Sequence, residues 1–388
     1  MTRTLEHLLE QVADIAPLVR QQADEADRTA RLDPAVVEAW HERDLLNVLT
    51  PLEFGGGGLS LGATLELIEA TAAVDASAGW TYAIYVGSPI FAAQLSKQAC
   101  ETLMADPRAL VCGTLGPAGR AVRVGGGYRF TGVAPVCSGA WNAPWVMMGG
   151  IVFEDERPVM TESGGPEIVH AVIPMEQAER LDTWNPVGMR GTGSIDCRIT
   201  DAFVPEGFTF RFFGWRPTEG PPPFGRIPLA GQIGAPLAAV AVGCAFGAIE
   251  AFRELVNSKL ALGSTETLSR QPTIQAAFGE AAGLAQAARA TLHEAANGIW
   301  ELGMRDQPID DQVLARTRAS IVTAVRLARQ SVEVLKLHAG TGATNLGSRF
   351  GRAWRDIDMI PAHIMFSPNR LEVAGRVMFG FPAMSPVI

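Results

Sequence analysis

Residues 184–205 read WNPVGMRGTGSIDCRITDAFVP. The glycines of GMRGTG mark a tight turn, because glycine takes up positive φ without steric penalty. The run after them, IDCRITDAFVP at 195–205, is short and rich in β-branched residues, and it reads as a strand. Similar segments precede it: ALVCGTL (109–115), RAVRVGGGYRFTGVAPVCSG (120–139), WVMMGGIVF (145–153) and EIVHAVIPM (167–175). GGGYRFTG at 125–132 has the form of a hairpin. Strands that follow one another without intervening helices predict an antiparallel, barrel-like sheet rather than a Rossmann unit.

On both sides of this block the sequence turns helical. LLEQVADIAPLVRQQADEADRTARL (8–32) spaces its apolar residues by threes and fours. DPAVVEAWHERDLL (33–46) opens with Asp33 as N-cap and Pro34 at the first helical position. FGGGGLS (54–60) is a break, after which 61–87 resumes helix. FFGWRPTEGPPPFGRIP (212–228) reads as a Pro/Gly linker, and three long Ala- and Leu-rich helices are expected over 229–262, 271–304 and 308–338. The expected division is therefore a helical domain at 1–108, a β domain at 109–211, a linker at 212–228 and a helical bundle at 229–388.

The 388 residues are 47% hydrophobic and 19% charged, enough for a large core and unlike a disordered chain. A net charge of -9 without Lys/Arg clusters argues against nucleic acid or an anionic membrane as partner. The five cysteines form no CxxC pair, so neither a zinc site nor a disulfide framework is expected. The N-terminus is amphipathic rather than signal-like, and the apolar run at 227–252 suits a packed helix better than a membrane span, which makes the cytoplasm the expected compartment.

The block order, GMRGTGS followed by a strand ending in VP, and a late RD at 355–356 together resemble the acyl-CoA dehydrogenase superfamily over almost the whole chain. The resemblance implies an α+β fold: an N-terminal helical domain, a central antiparallel β-barrel-like domain and a C-terminal four-helix bundle. It also implies a flavin held between the β domain and the bundle, in an enzyme that is commonly a tetramer.

Departures from the dehydrogenase pattern narrow this reading. The segment matching TEP…GSD is GTLGPAGRA (113–121), which keeps Thr114 but has Leu115 in place of the glutamate. Where dehydrogenases have WITN, this chain has VCSG (136–139), with Ser138 supplying the hydroxyl and Gly139 beside it. The two positions that carry the dehydrogenase base are Ile364 and Leu260 here, and neither side chain abstracts a proton. SG in the β domain with RD…H near the end resembles instead the group D two-component flavin-dependent monooxygenases, akin to 4-hydroxyphenylacetate hydroxylases and dibenzothiophene monooxygenases. That implies reduced flavin, FMNH2 or FADH2, from a separate reductase, and O2 as co-substrate. A C4a-hydroperoxyflavin would then hydroxylate an apolar or aromatic small molecule.

The resemblance puts Ser138 near flavin N5 and His363 beside the isoalloxazine, as the catalytic pair. The cofactor-binding candidates are Thr114, Ser138, Gly139, Arg190, Thr192, Ser194, Gly340 and Gly342, the last two in HAGTGA (338–343). Taken alone, His363 in RDIDMIPAHIMFSPNR (355–370) reads as a structural histidine on a helix-like segment; the missing glutamate beside it makes it functional. Trp80, Tyr82 and Tyr85 are candidates for lining a substrate pocket, but aromatics at this spacing are more often core, and His170 and His293 read as structural or unremarkable. The alternatives are an atypical acyl-CoA dehydrogenase-like flavoprotein and a catalytically degenerate member that binds flavin or an acyl ligand.

Overall fold

A computed structural model describes residues 4–162, 164–261, 263 and 265–385. Helix α1 (Leu5–Thr29) is capped by Thr4 Oγ1 and buries Leu8, Val12, Ile15 and Val19, the stripe its apolar spacing predicts. In α2 (Pro34–Glu42), Asp33 accepts from Ala35 N at 2.8 Å, with Pro34 at the first helical position as expected. Helices α3 (Leu61–Val74), α4 (Ala76–Val86), α5 (Ser88–Ala92) and α6 (Lys97–Ala105) complete this part.

The strands are β1 (Val111–Val124), β2 (Gly127–Cys137), β3 (Trp145–Glu154), β4 (Arg157–Pro158), β5 (Ile168–Pro174), β6 (Ala178–Leu181), β7 (Ile195–Pro205) and β8 (Thr209–Phe210). They form one sheet in the order β6-β7-β2-β1-β3-β5-β8, with β4 on β3. The β1–β2 hairpin lies where GGGYRFTG predicts it. One ladder departs from the antiparallel expectation: β3 runs parallel to β1, so the sheet is mixed. The cause is positional, since β7 occupies the outer edge of β2 and the chain leaving β2 must return on the far side of β1.

Residues 212–228 are packed rather than a free linker. Phe224 and Ile227 are buried, and Gln232 Nε2 donates to both of their carbonyls. Helices α7 (Leu229–Ser258), α8 (Pro272–Met304) and α9 (Asp311–Ala339) follow, then α10 (Arg349–Met359) and α11 (Pro368–Met378). By length and composition α7 could cross a membrane, but 83% of its apolar window is buried inside the fold. Its glycines allow that packing: a Cβ on Gly243 would come within 2.3 Å of Glu69 O, and one on Gly247 within 2.3 Å of Ala73 O. So α7 lies directly against α3, which joins the bundle to the N-terminal helices.

Candidate functional site

The polar centre lies where the end of β2, the 188–194 turn and helix α4 meet. Ser138 follows β2 in a bend that starts with Val136 at φ 56° and is closed by Gly139 at φ 78°. Gly139 N donates to Thr192 O at 2.9 Å, and Gly139 O accepts from Tyr85 Oη at 2.6 Å. A Cβ at Gly139 would stand 2.8 Å from the Tyr85 ring, so glycine is required here on two counts.

Three hydroxyls converge in the bend. Ser138 Oγ lies 2.7 Å from Ser194 Oγ, and Ser194 Oγ lies 2.6 Å from Thr192 Oγ1. Thr192 Oγ1 donates to Met189 O at 2.8 Å, and Trp80 Nε1 donates to Ser138 Oγ at 3.1 Å. Ser138, Thr192, Ser194 and Trp80 are all buried.

His363 reaches the same centre through Trp80, whose ring it meets edge-on at 5.4 Å. The helix-like reading of 355–370 holds to Met359 and again from Pro368, the first residue of α11. Between them Pro361 breaks the helix, and His363 sits between two short 3-10 turns in extended conformation. Its Nδ1 accepts from Met365 N at 3.3 Å, which places the proton of the neutral ring on Nε2. Burial, and then the positive charge of Arg318, push His363 down to about 4, so the ring is neutral at pH 7. Arg318, on α9, donates to Ala230 O at 2.8 Å and is itself held down to about 10 by burial and by Arg370.

An acidic cluster braces the turn from behind. Met189 N donates to Asp356 Oδ1, and Arg355, the other residue of the RD pair, binds Asp27 at 2.7 Å. Arg352 pairs with Asp75, the N-cap of α4, at 3.3 Å and also with Asp24. Burial first, then Asp75, push Asp356 up to about 8.

Not all the sequence candidates meet. Arg190 donates to Asp27 O, Asn185 Oδ1 and Pro186 O, so its guanidinium ties the turn to α1. Thr114 lies in a bulge of β1, where its Oγ1 accepts from Gly116 N at 3.4 Å. Gly340 caps α9 at φ 70°, and a Cβ on Gly342 would meet nothing within 4 Å. Ile364 is 60% exposed and Leu260 58%, neither with a carboxylate in its place.

Two residues carry more than their sequence suggested. Trp80, read as core, links Ser138 to His363, while Tyr82 and Tyr85 do serve the core, Tyr82 Oη donating to Leu45 O at 2.8 Å. His170 is fully buried, stacks on Phe210 at 5.1 Å and holds Leu115 O at 2.9 Å, pinning the β1 bulge. His293 binds Glu69 at 2.8 Å in a structural pair. Of these residues Trp80 contacts Ser138, and no local sequence signal distinguishes it from a core tryptophan.

Two family models match this chain: acyl-CoA dehydrogenase, N-terminal domain, over residues 2–103, and acyl-CoA dehydrogenase, C-terminal domain, over residues 235–368. The chain belongs to the acyl-CoA dehydrogenase family. Within that family it is similar to a pigment production hydroxylase of a Rhodococcus species, with 28% identity over 399 residues covering 100% of both chains. It is also 28% identical to the FADH(2)-dependent resorcinol hydroxylase, oxygenase component, of a Rhizobium species, over 96% of this chain and 94% of that one. Among solved structures, 3-HSA hydroxylase from Rhodococcus sp. RHA1 superimposes with a TM-score of 0.90 at 26% identity, covering 98% of this chain and 99% of the other. The acyl-CoA dehydrogenase fold is thus shared with hydroxylases over essentially the full length.

Proposed function

We propose that this chain is the oxygenase component of a two-component, flavin-dependent monooxygenase that hydroxylates an aromatic small molecule. The observation that carries the reading is the Ser138–Trp80–His363 constellation in a fold whose dehydrogenase base positions, Ile364 and Leu260, hold no acid. The full-length likeness to relatives named as hydroxylases supports it. The FADH2 dependence of the resorcinol hydroxylase relative favours FADH2 over FMNH2, delivered by a separate flavin reductase.

The residues present fit such a cofactor. Three buried hydroxyls line the bend that carries Ser138, and His363, Trp80 and Phe366 supply a largely apolar aromatic wall. Reduced flavin, when bound, activates O2 and delivers one oxygen atom to the substrate while the other leaves as water. Ser138 and Gly139 would hold the flavin edge, with Thr192 and Ser194 behind them, and Thr114 and the Gly340–Gly342 loop would hold the remainder of the cofactor. Arg190 acts by holding the turn rather than by touching the flavin. His363 remains neutral and offers Nε2–H as a donor to the reacting oxygen or the substrate. Trp80 and Phe366 exclude water around that donor, which protects the reaction from wasteful loss of peroxide.

The division of labour follows the chain: helices to 108, β domain to 211, connection to 228 and bundle beyond. A homotetramer in the cytoplasm fits this reading. The exposed Phe379 and Met384 at the C-terminal end support contact with a second copy.

The deciding experiment supplies reduced FAD, 18O2 and a panel of phenols and indoles, and follows label by mass spectrometry. One 18O atom in an aromatic product is the expected result. Absence of label, with an acyl-CoA thioester bleaching the bound oxidised flavin, makes the chain a dehydrogenase. Flavin binding without either reaction makes it a catalytically silent member.

A further inference from the structure

The hydroxyl chain at the site has a fixed direction. Met189 O is a carbonyl and only accepts, so the contact at 2.8 Å fixes the Thr192 hydroxyl as donor toward it. Thr192 has one proton, and with that proton on Met189 O its oxygen must accept from Ser194, 2.6 Å away. The Ser194 proton then points at Thr192, and Ser194 Oγ must accept from Ser138, 2.7 Å away. Trp80 Nε1–H, donor only, points into Ser138 Oγ from the other side at 3.1 Å. Ser138 therefore has its proton committed to Ser194, one lone pair taken by Trp80 and one lone pair left. Toward any ligand it is an acceptor.

We infer that Thr192 and Ser194 act as positioning residues that set the polarity of Ser138, so that the site selects reduced flavin over oxidised flavin. This rests on the reading that Ser138 meets flavin N5. N5 carries a hydrogen in reduced flavin and donates it; in oxidised flavin N5 is a bare acceptor. An acceptor Ser138 pairs with the first and faces the second lone pair to lone pair. Such a preference suits an oxygenase that takes its flavin already reduced and must release it oxidised. The chain is anchored far from the flavin edge, because the Met189 amide that fixes the turn is held by Asp356 on α10.

The test measures the dissociation constants of reduced and oxidised FAD, the former under anaerobic conditions, for wild type, Ser194→Ala, Thr192→Val and Ser138→Ala. Wild type binds reduced FAD more tightly. In Ser194→Ala the Ser138 proton loses its acceptor and turns toward N5. The oxidised-to-reduced ratio of dissociation constants then falls by about threefold to tenfold, the scale of one hydrogen bond. For a two-electron couple this is a fall in the bound flavin's midpoint potential of about 15 to 30 mV. Thr192→Val shifts the ratio the same way, since the Ser194 proton turns back toward Ser138, and it provides a second measurement should Ser194→Ala fold poorly. Thr192→Ser restores the wild-type ratio. An unchanged ratio in both Ser194→Ala and Thr192→Val, with flavin still bound, overturns the inference and leaves the monooxygenase reading standing. A wild-type chain that binds neither form of FAD overturns both.

Discussion

Trp80 on α4 donates its indole N–H to Ser138 Oγ at 3.1 Å, and the same indole meets the His363 ring in a T-shaped contact, with centroids 5.4 Å apart. One side chain thereby couples a hydroxyl from the sheet to an imidazole 225 positions later in the chain than that hydroxyl, without either touching the other (363 against 138). Trp80→Phe keeps the ring and removes the donor. The expected loss is about 1 kcal/mol of stability, read as a shift of a few degrees in thermal melting. Oxygen should be diverted from product to hydrogen peroxide, measured as a lower ratio of product formed to O2 consumed.

His363 contributes a neutral ring with the proton on Nε2. His363→Ala should lower the rate of product formation by tenfold or more while flavin affinity stays within about threefold. Quantifying product and peroxide side by side checks this, and an unchanged product yield removes His363 from the reaction. Because its folded value is near 4 against about 6.5 unfolded, the unfolded chain takes up the proton first as pH falls. Its contribution to stability is therefore full above about pH 6.5 and lost between there and about 4. His363→Gln should flatten that limb of the stability profile.

Asp356 gives the opposite slope. Burial and Asp75 raise it to about 8, whereas an unfolded aspartate ionises near 4. The folded chain holds the proton longer, so this group's contribution is present below about pH 4 and is lost as pH rises toward 8. Asp356→Asn keeps an acceptor for Met189 N and removes the titration. The melting-temperature difference, variant minus wild type, should become more positive from pH 5 to pH 8, measured by scanning calorimetry.

Gly139 stands at φ 78° with the Tyr85 ring 2.8 Å from where a Cβ would be. Gly139→Ala combines a left-handed backbone penalty of about 1–2 kcal/mol with a clash against a buried ring. A loss of 3 kcal/mol or more is expected by denaturant unfolding. Tyr85→Phe removes the hydroxyl yet leaves the ring edge in place, so it should not rescue the variant.

Much of this protein is legible in its sequence because local periodicity and turn chemistry are local properties. The stripe of α1, the Asp33 cap, the GGGYRFTG hairpin and the long helices after 228 need no tertiary knowledge. The missing carboxylates at Ile364 and Leu260 are equally plain. Ser138, Thr192, Ser194 and His363 were each visible as polar residues in segments of a recognisable type.

Their association was not. The parallel pairing of β3 with β1 follows from which sheet edge was already occupied, and a single strand does not encode that. Arg190 reads in the sequence as a cofactor-binding candidate, and only the packing of α1 sets the Asp27 carbonyl against its guanidinium; that Gly340 stands at the end of α9 is likewise a matter of the folded chain. Trp80 became part of the site only because α4 packs where β2 ends. Hydroxyl direction, too, is a property of the assembled chain of contacts: it starts at the Met189 carbonyl and passes from oxygen to oxygen to Ser138. Sequence determined which groups were available. Long-range packing decided which of them face one another and which way their protons point.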